Sequence, residues 1–342
     1  MTRQTLNRAG ALVAAAMLAM SIVTYGFNLI AARWLVPAEF GALTALLSII
    51  LIANVVALGI QAAIARQIAT QPEHSPAIIK TTSRVAIGIS IAIGSVVALS
   101  TVVFTPVLNL DSYWPVIFCG IMMVPLTIMG AQAGVAQRSD RWGQLSLIYL
   151  ASGTGRLAGG ILGMAIAPTA TGAMMGLAIG GWLPVVAGIG LLRSHSTVPM
   201  ESRKPLVAEA FTASLVLFAY FTLSNLDALL ARSVFNEHDS GIYAAGLIMT
   251  KSALFLPQFV SVVFFPMLAR DAGHRSRVTA VSLVAFFGVI ATAGVALLPK
   301  IALILVGGDK YGEIMGRLWI FAGTGTVLAI VYVLVFDALA RR

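Results

Sequence analysis

A chain of 342 residues with 59% hydrophobic residues, only 10% charged residues and a mean hydropathy of +0.94 falls outside the range of ordinary soluble domains. Its formal charge of +9 would suit a nucleic-acid surface in a soluble protein, but here Lys and Arg are dispersed between long uncharged runs. The single cysteine, Cys119, excludes an intramolecular disulfide and sits in the middle of an apolar run, where packing is its expected role.

Taken in chain order, apolar runs punctuated by Gly, Pro, Asn and Asp predict ten helices. They fall at about 9–32, 40–62, 85–106, 114–136, 144–166, 171–192, 208–231, 241–268, 279–304 and 315–337. Each is long enough for the roughly 20 residues that cross a hydrocarbon core. The runs are continuous and do not alternate apolar with polar, so the expected class is all-α and polytopic rather than a barrel. The first run is preceded by Arg3 and Arg8 and contains Ala14 to Ala16, but it is longer than a signal-peptide core and is read as a permanent helix. His74, His195, His238 and His274 all fall in expected loops, which leaves no histidine for a metal site inside the membrane. No cofactor is expected.

The ten-helix topology sorts the basic residues. Arg3, Arg8, Arg66, Lys80, Arg84, Arg138, Arg141, Arg193, Arg203, Lys204, Arg270, Arg275, Arg277, Arg341 and Arg342 share one side, whereas Arg33, Arg232, Lys300, Lys310 and Arg317 share the other. The positive-inside rule makes the first group cytoplasmic, giving a multi-pass protein of the cytoplasmic membrane with both termini inside.

A charged, proline-containing stretch from Arg193 to Glu209 divides six helices from four. The expected organisation is an N-terminal lobe over 1–195, a cytoplasmic linker over 196–208 and a C-terminal lobe over 209–342. An internal echo supports it: AARWLVPAEFGALTAL around Arg33 and Gly41 resembles LLARSVFNEHDSGIYAAG around Arg232 and Gly241. In each, a helix ends in Ala-Arg, a short acidic loop follows, and Gly opens the next helix; AIARQIA at Arg66 and MLARDAG at Arg270 then close the second helix. Such repeats relate the halves of many transporters. If the seventh and eighth helices repeat the first and second, the ninth and tenth should repeat the third and fourth. The fifth and sixth then lack partners, so the second lobe is short, as in a natural short form or a fragment.

These residues carry a family resemblance. Asn28, Arg33 and Pro37-Ala38-Glu39-Phe40-Gly41, followed by Asn225-Leu226-Asp227, Ser240-Gly241-Ile242-Tyr243, Lys251 and Phe265-Pro266-Met267-Leu268, resemble the polysaccharide or O-antigen flippases of the multidrug, oligosaccharidyl-lipid and polysaccharide exporter superfamily. The resemblance covers nearly the whole chain through short motifs. It implies two helical bundles around a V-shaped cavity that opens alternately to either side, with a lipid-diphosphate-linked oligosaccharide as cargo. Membrane lipid, a coupling cation or proton, and polysaccharide-assembly enzymes are the partners it suggests; nucleic acid is not among them.

Three ionisable residues are expected inside the membrane. Arg156 lies twelve residues into the fifth helix, roughly 18 Å deep at 1.5 Å per residue, and Lys251 ten residues into the eighth, roughly 15 Å deep. A central Arg costs about 3 kcal/mol or more on insertion scales, so each needs a cavity, an anion or a protein partner. Arg156 shares a helix face with Tyr149 and Ser152, and Lys251 with Tyr243 and Gln258. Two readings stand for each: a cation lining a cavity suited to a diphosphate, or a buried tether, with Asp227 as the partner in an ion pair. Asp227 itself reads as a coupling acid or as one member of that pair. Asn225 and Asn28, with Asn54 and Gln61, are placed to bond sugar hydroxyls or to bridge helices. Arg33 and Arg232 end helices at the outer interface, where snorkelling is the expected explanation. The ladders Gly155, Gly159, Gly163 and Gly172, Gly176, Gly180 predict close packing between the fifth and sixth helices.

The leading expectation is therefore a flippase, with cavity residues Arg156, Lys251, Asp227, Asn225, Asn28 and Arg33. A multidrug antiporter of the same superfamily is the alternative. A glycosyltransferase or polymer ligase is a lesser one, because the acidic residues of the outer loops are scattered rather than paired for acid–base work. No Gly-x-x-x-x-Gly-Lys motif points to ATP.

Overall fold

The structure is a computed structural model describing residues 3–70, 75–192, 214–215, 217–253 and 274–340, and every regular element in it is helical. The linker expected at 196–208 lies outside these residues. So do His74, His195 and the distal part of the eighth helix, with Pro257, Gln258 and Pro266.

The first half of the chain begins with α1 (Arg3–Trp34), which turns through Leu35 and Val36 into α2 (Pro37–Ala53). Proline at the first position of α2 fits a helix start, because its missing N–H would have had no partner there. A break at Asn54 separates α2 from α3 (Val55–Thr70) within one long apolar run. Next come α4 (Ser75–Leu99), the short α5 (Thr101–Val107), α6 (Trp114–Arg138) and α7 (Trp142–Ile166). Then α8 (Ala170–Gly180) starts on the Thr169 hydroxyl, which accepts from the Gly172 N–H at 3.2 Å, and α9 (Trp182–Ala187) follows a bend at Gly181.

The second half repeats much of this order. Helical residues 217–223 lead, across a break at Ser224 and Asn225, into α10 (Leu226–Val234), which turns through Phe235 and Asn236 into α11 (Glu237–Ala253). Further on are α12 (His274–Leu297), the short α13 (Pro299–Val306), a 3-10 segment (Asp309–Arg317) and α14 (Leu318–Ala340). Eight helical stretches among the described residues are long and apolar enough to cross a membrane.

Glycine sets the closest helix approaches. A Cβ added at Gly155, Gly159 or Gly163 of α7 would fall on the backbone carbonyl of Gly180, Gly176 or Gly172 of α8, and the relation is reciprocal for Gly176 and Gly180. The two ladders therefore face each other, as their spacing predicts. Elsewhere in the first half, Gly94 of α4 meets Gly120 of α6, and Gly130 and Gly134 of α6 meet Ala57 and Gln61 of α3. Between the halves, the start of α2 crosses the start of α11: a Cβ on Gly41 would lie 2.9 Å from the Gly241 nitrogen, and one on Gly241 would strike the Pro37 carbonyl. The two echoed hairpins thus touch each other at equivalent glycines.

Candidate functional site

Counting from helix ends locates the ionisable groups. Arg156 is fourteen residues from Trp142 at the Lys/Arg-rich end of α7, about 21 Å; Lys251 is fourteen residues from Glu237 at the Lys/Arg-poor end of α11, also about 21 Å. Measured from opposite faces of a core about 30 Å thick, each comes within about 6 Å of its midplane. Both side chains are half-buried, and neither makes a hydrogen bond or ion pair with a described residue.

Lys251 lies within electrostatic range of both Asp227 and Arg156. The direct Lys251–Asp227 bridge that the sequence left open is not formed. Instead, one oxygen of Asp227 accepts from the Ala228 N–H at 2.8 Å in the first turn of α10, and its carboxylate also interacts with the Tyr243 phenol. Tyr243 belongs to an aromatic layer, with ring centroids 6.1 Å from Phe235 and 5.1 Å from Phe321.

Toward the Lys/Arg-rich end, Tyr149 continues the Arg156 face. Its hydroxyl accepts from Gln61 Nε2 at 3.1 Å, and the same amide donates to Gln137 Oε1 at 3.3 Å. Tyr332 of α14 lies within electrostatic range of Tyr149, and its ring packs edge-on against Tyr220 at 5.6 Å. Asp227 and Tyr243, Lys251, and Arg156 with Tyr149 on the same helix face form a set of polar side chains drawn from both halves of the chain.

The other expected cavity residues bond to main-chain carbonyls. Asn28 donates from Nδ2 to the Thr24 carbonyl of its own helix at 3.1 Å. Asn225 is buried at the break before α10, where Nδ2 donates to the Phe221 carbonyl at 2.8 Å and Oδ1 has no partner among the described residues. Arg33 is exposed at the Lys/Arg-poor end and donates to the Ile304 carbonyl at 2.9 Å.

Arg232 corrects the sequence reading. Far from snorkelling, it is 4% exposed, and its guanidinium donates to the carbonyls of Leu108 at 2.9 Å, Asn109 at 3.0 Å and Ala38 at 3.3 Å and to the Ser240 hydroxyl at 3.1 Å. Glu237 lies 3.6 Å away. The loop after α5 brings in the Leu108 and Asn109 carbonyls and the first turn of α2 that of Ala38, and helix position alone could not have shown it. The signal available was the echo that pairs Arg232 with Arg33. Gln137 and Tyr332 also escaped sequence reasoning, because only the tertiary contacts bring them to Tyr149.

This arrangement is the all-α, polytopic fold of the MATE-like transporters of the MOP superfamily. It is similar to the inward-facing conformation of a multidrug resistance MATE family transporter of that superfamily, at 12% identity, with 96% of this chain and 88% of that one covered and a TM-score of 0.65. It is also similar to the eukaryotic MATE transporter AtDTX14, at 11% identity, 94% and 82% coverage and a TM-score of 0.57. A MATE structure in the bent conformation matches at 13% identity, 97% and 87% coverage and a TM-score of 0.53. No family model and no curated protein matches the sequence.

Proposed function

We propose that this chain is a flippase that moves a lipid-linked oligosaccharide, or a comparable polysaccharide precursor, across the cytoplasmic membrane by alternating access, with both termini on the cytoplasmic side. The observation that carries the reading is the pair Arg156 and Lys251: two half-buried cations near mid-depth, from opposite halves, with no carboxylate or carbonyl bonded to either among the described residues. Cations held at that depth are costly unless an anion or water meets them. A diphosphate supplies that charge, with Arg able to grip two oxygens and Lys acting as a point charge. The Tyr149, Gln61 and Gln137 cluster beside them offers donors and acceptors of the kind sugar hydroxyls bond. Asp227, within electrostatic range of Lys251, is the group we assign to a coupling cation or proton, and polysaccharide-assembly enzymes are the partners such a role implies. The likeness to an inward-facing MATE transporter fits a cavity reached from the Lys/Arg-rich side.

The second reading is a multidrug exporter. It is favoured by the aromatic layer around Asp227, which would suit an organic cation, and by the multidrug transporter among the similar folds. Proteoliposomes separate the two readings. Under the flippase reading, leaflet exchange of a fluorescent diphosphate-linked oligosaccharide falls at least about tenfold in Arg156→Ala and in Lys251→Ala, on the scale of one lost charge-assisted contact. Exchange undiminished in both variants refutes the cationic-cavity mechanism. Uptake of ethidium that depends on Asp227, without oligosaccharide exchange, establishes the second reading.

A further inference from the structure

The two echoed hairpins end in arginines that do the same thing in opposite directions. Arg33, at the end of α1, reaches out of the first half and donates to the Ile304 carbonyl in the last turn of α13. Arg232, at the end of α10, reaches out of the second half and donates to the carbonyls of Leu108 and Asn109, just past the end of α5. The recipients are themselves equivalent. α5 and α13 are the short helices that follow breaks after α4 and α12, and both end in left-handed backbone, at Asn109 (φ 48°) and at Gly307 (φ 134°) and Gly308 (φ 90°). Each guanidinium therefore sits where unpaired C-terminal carbonyls concentrate partial negative charge, an electrostatically favourable place for a cation.

Further cross-half bonds surround the pair. Arg232 also reaches the Ala38 carbonyl. The Tyr311 hydroxyl donates to the Ala32 carbonyl at 2.9 Å and the Tyr25 hydroxyl to the Leu305 carbonyl at 2.8 Å. Lys310 Nζ donates to the carbonyls of Arg33 and Leu35. All of this gathers at the Lys/Arg-poor end, and Arg232 joins it to the Gly41–Gly241 crossing through Ala38 and Ser240.

Resting on the alternating access proposed above, we infer that Arg33 and Arg232 form a reciprocal clamp that holds the Lys/Arg-poor end of the protein closed, and that opening to that side requires both guanidiniums to leave the carbonyls of the opposite half. Arg232 is the stronger member, being buried and bonded to three main-chain carbonyls of the first half, whereas exposed Arg33 makes one such bond. Releasing the clamp while α1, α2, α10 and α11 keep their own helical bonds shifts a population between two packed arrangements without unfolding either half.

Spin–spin distance measurements on the full chain in lipid nanodiscs test this. Labels replace Val36 and Val234, two exposed residues from opposite halves at the clamped end, in a Cys119→Ala background. A second pair at Val36 and Ile166, both in the first half, reports local distortion. In Arg232→Ala the longer Val36–Val234 distance should gain at least about tenfold over the shorter one, the scale of one charged hydrogen bond. Arg33→Ala should shift it in the same direction by less, and the double variant by most, while the Val36–Ile166 distance stays constant. Should Arg232→Ala fail to fold, Arg232→Lys, which keeps the charge but loses the forked donors, and Arg33→Ala carry the test. An unchanged Val36–Val234 distribution in the folded variants overturns the clamp, and so does an increase matched by the control pair.

Discussion

The α7–α8 contact allows a quantitative test of the glycine ladders. In Gly159→Ala the new methyl meets the main-chain carbonyl of Gly176, which cannot rotate away, and the Gly180 Cα lies 3.0 Å from it. Ordinary contacts of a Cβ fall at 3.4–4 Å, so the two helices must part along the whole ladder, and the neighbouring Gly155–Gly180 and Gly163–Gly172 approaches loosen with it. Overpacking of a tight interface by one methyl costs about 1–3 kcal/mol, and a partner that is backbone places this case near the upper end, about 3 kcal/mol. Gly143→Ala in the same helix is the matched control, because nothing lies within 4 Å of its Cβ; helix propensity alone should leave it neutral or stabilise it by up to about 1 kcal/mol. Reversible unfolding in mixed micelles with increasing SDS would measure both, supported by thermal unfolding, where the deficit amounts to several degrees, on the order of 5 °C. Equal stability of Gly159→Ala and Gly143→Ala would refute the close packing of α7 on α8.

Other consequences follow from single contacts. Tyr311→Phe removes a buried hydroxyl donor to Ala32 and leaves its carbonyl short of a partner, which should cost about 1 kcal/mol in the same assay. Gly307→Ala places a side chain at φ 134° and beside the Tyr311 ring, so a loss of about 1–3 kcal/mol is expected, whereas Gly312→Ala, with open space around it, should lose far less. Cys119 is 0% exposed within α6 and donates weakly to the Leu46 carbonyl, so maleimide should not label it until the protein is unfolded; prompt labelling of the native protein would contradict its placement.

Much of this architecture was legible because the bilayer simplifies the sequence. Uncharged runs located the helices, although α4 starts at Ser75, about ten residues before its expected place, and α3 continues to Thr70, about eight residues past the expected end. Glycine spacing also anticipated the α7–α8 contact. The breaks at Asn54, at Ser224–Asn225 and at Gly181 were hidden inside apolar runs, where a single polar or small residue is equally compatible with an unbroken helix. For the candidate site, depth could be counted from helix ends, which singled out Arg156 and Lys251, but pairing could not. Whether Asp227 bridges Lys251 or turns to the Ala228 N–H and the Tyr243 phenol depends on side-chain geometry that one helix's periodicity does not contain. Arg232 was misjudged for a related reason: a cation at a helix end reads as snorkelling unless one knows that the loop after α5 folds over it.

The clamp's acceptors at Leu108, Asn109 and Ile304 are all main-chain oxygens. Every residue type carries such an oxygen, so sequence drift in the receiving loops leaves the latch intact so long as their backbone path is kept. Only the donors can be lost by point substitution. Evolutionary constraint should accordingly be lopsided, tight on two arginines and slack on the segments that receive them.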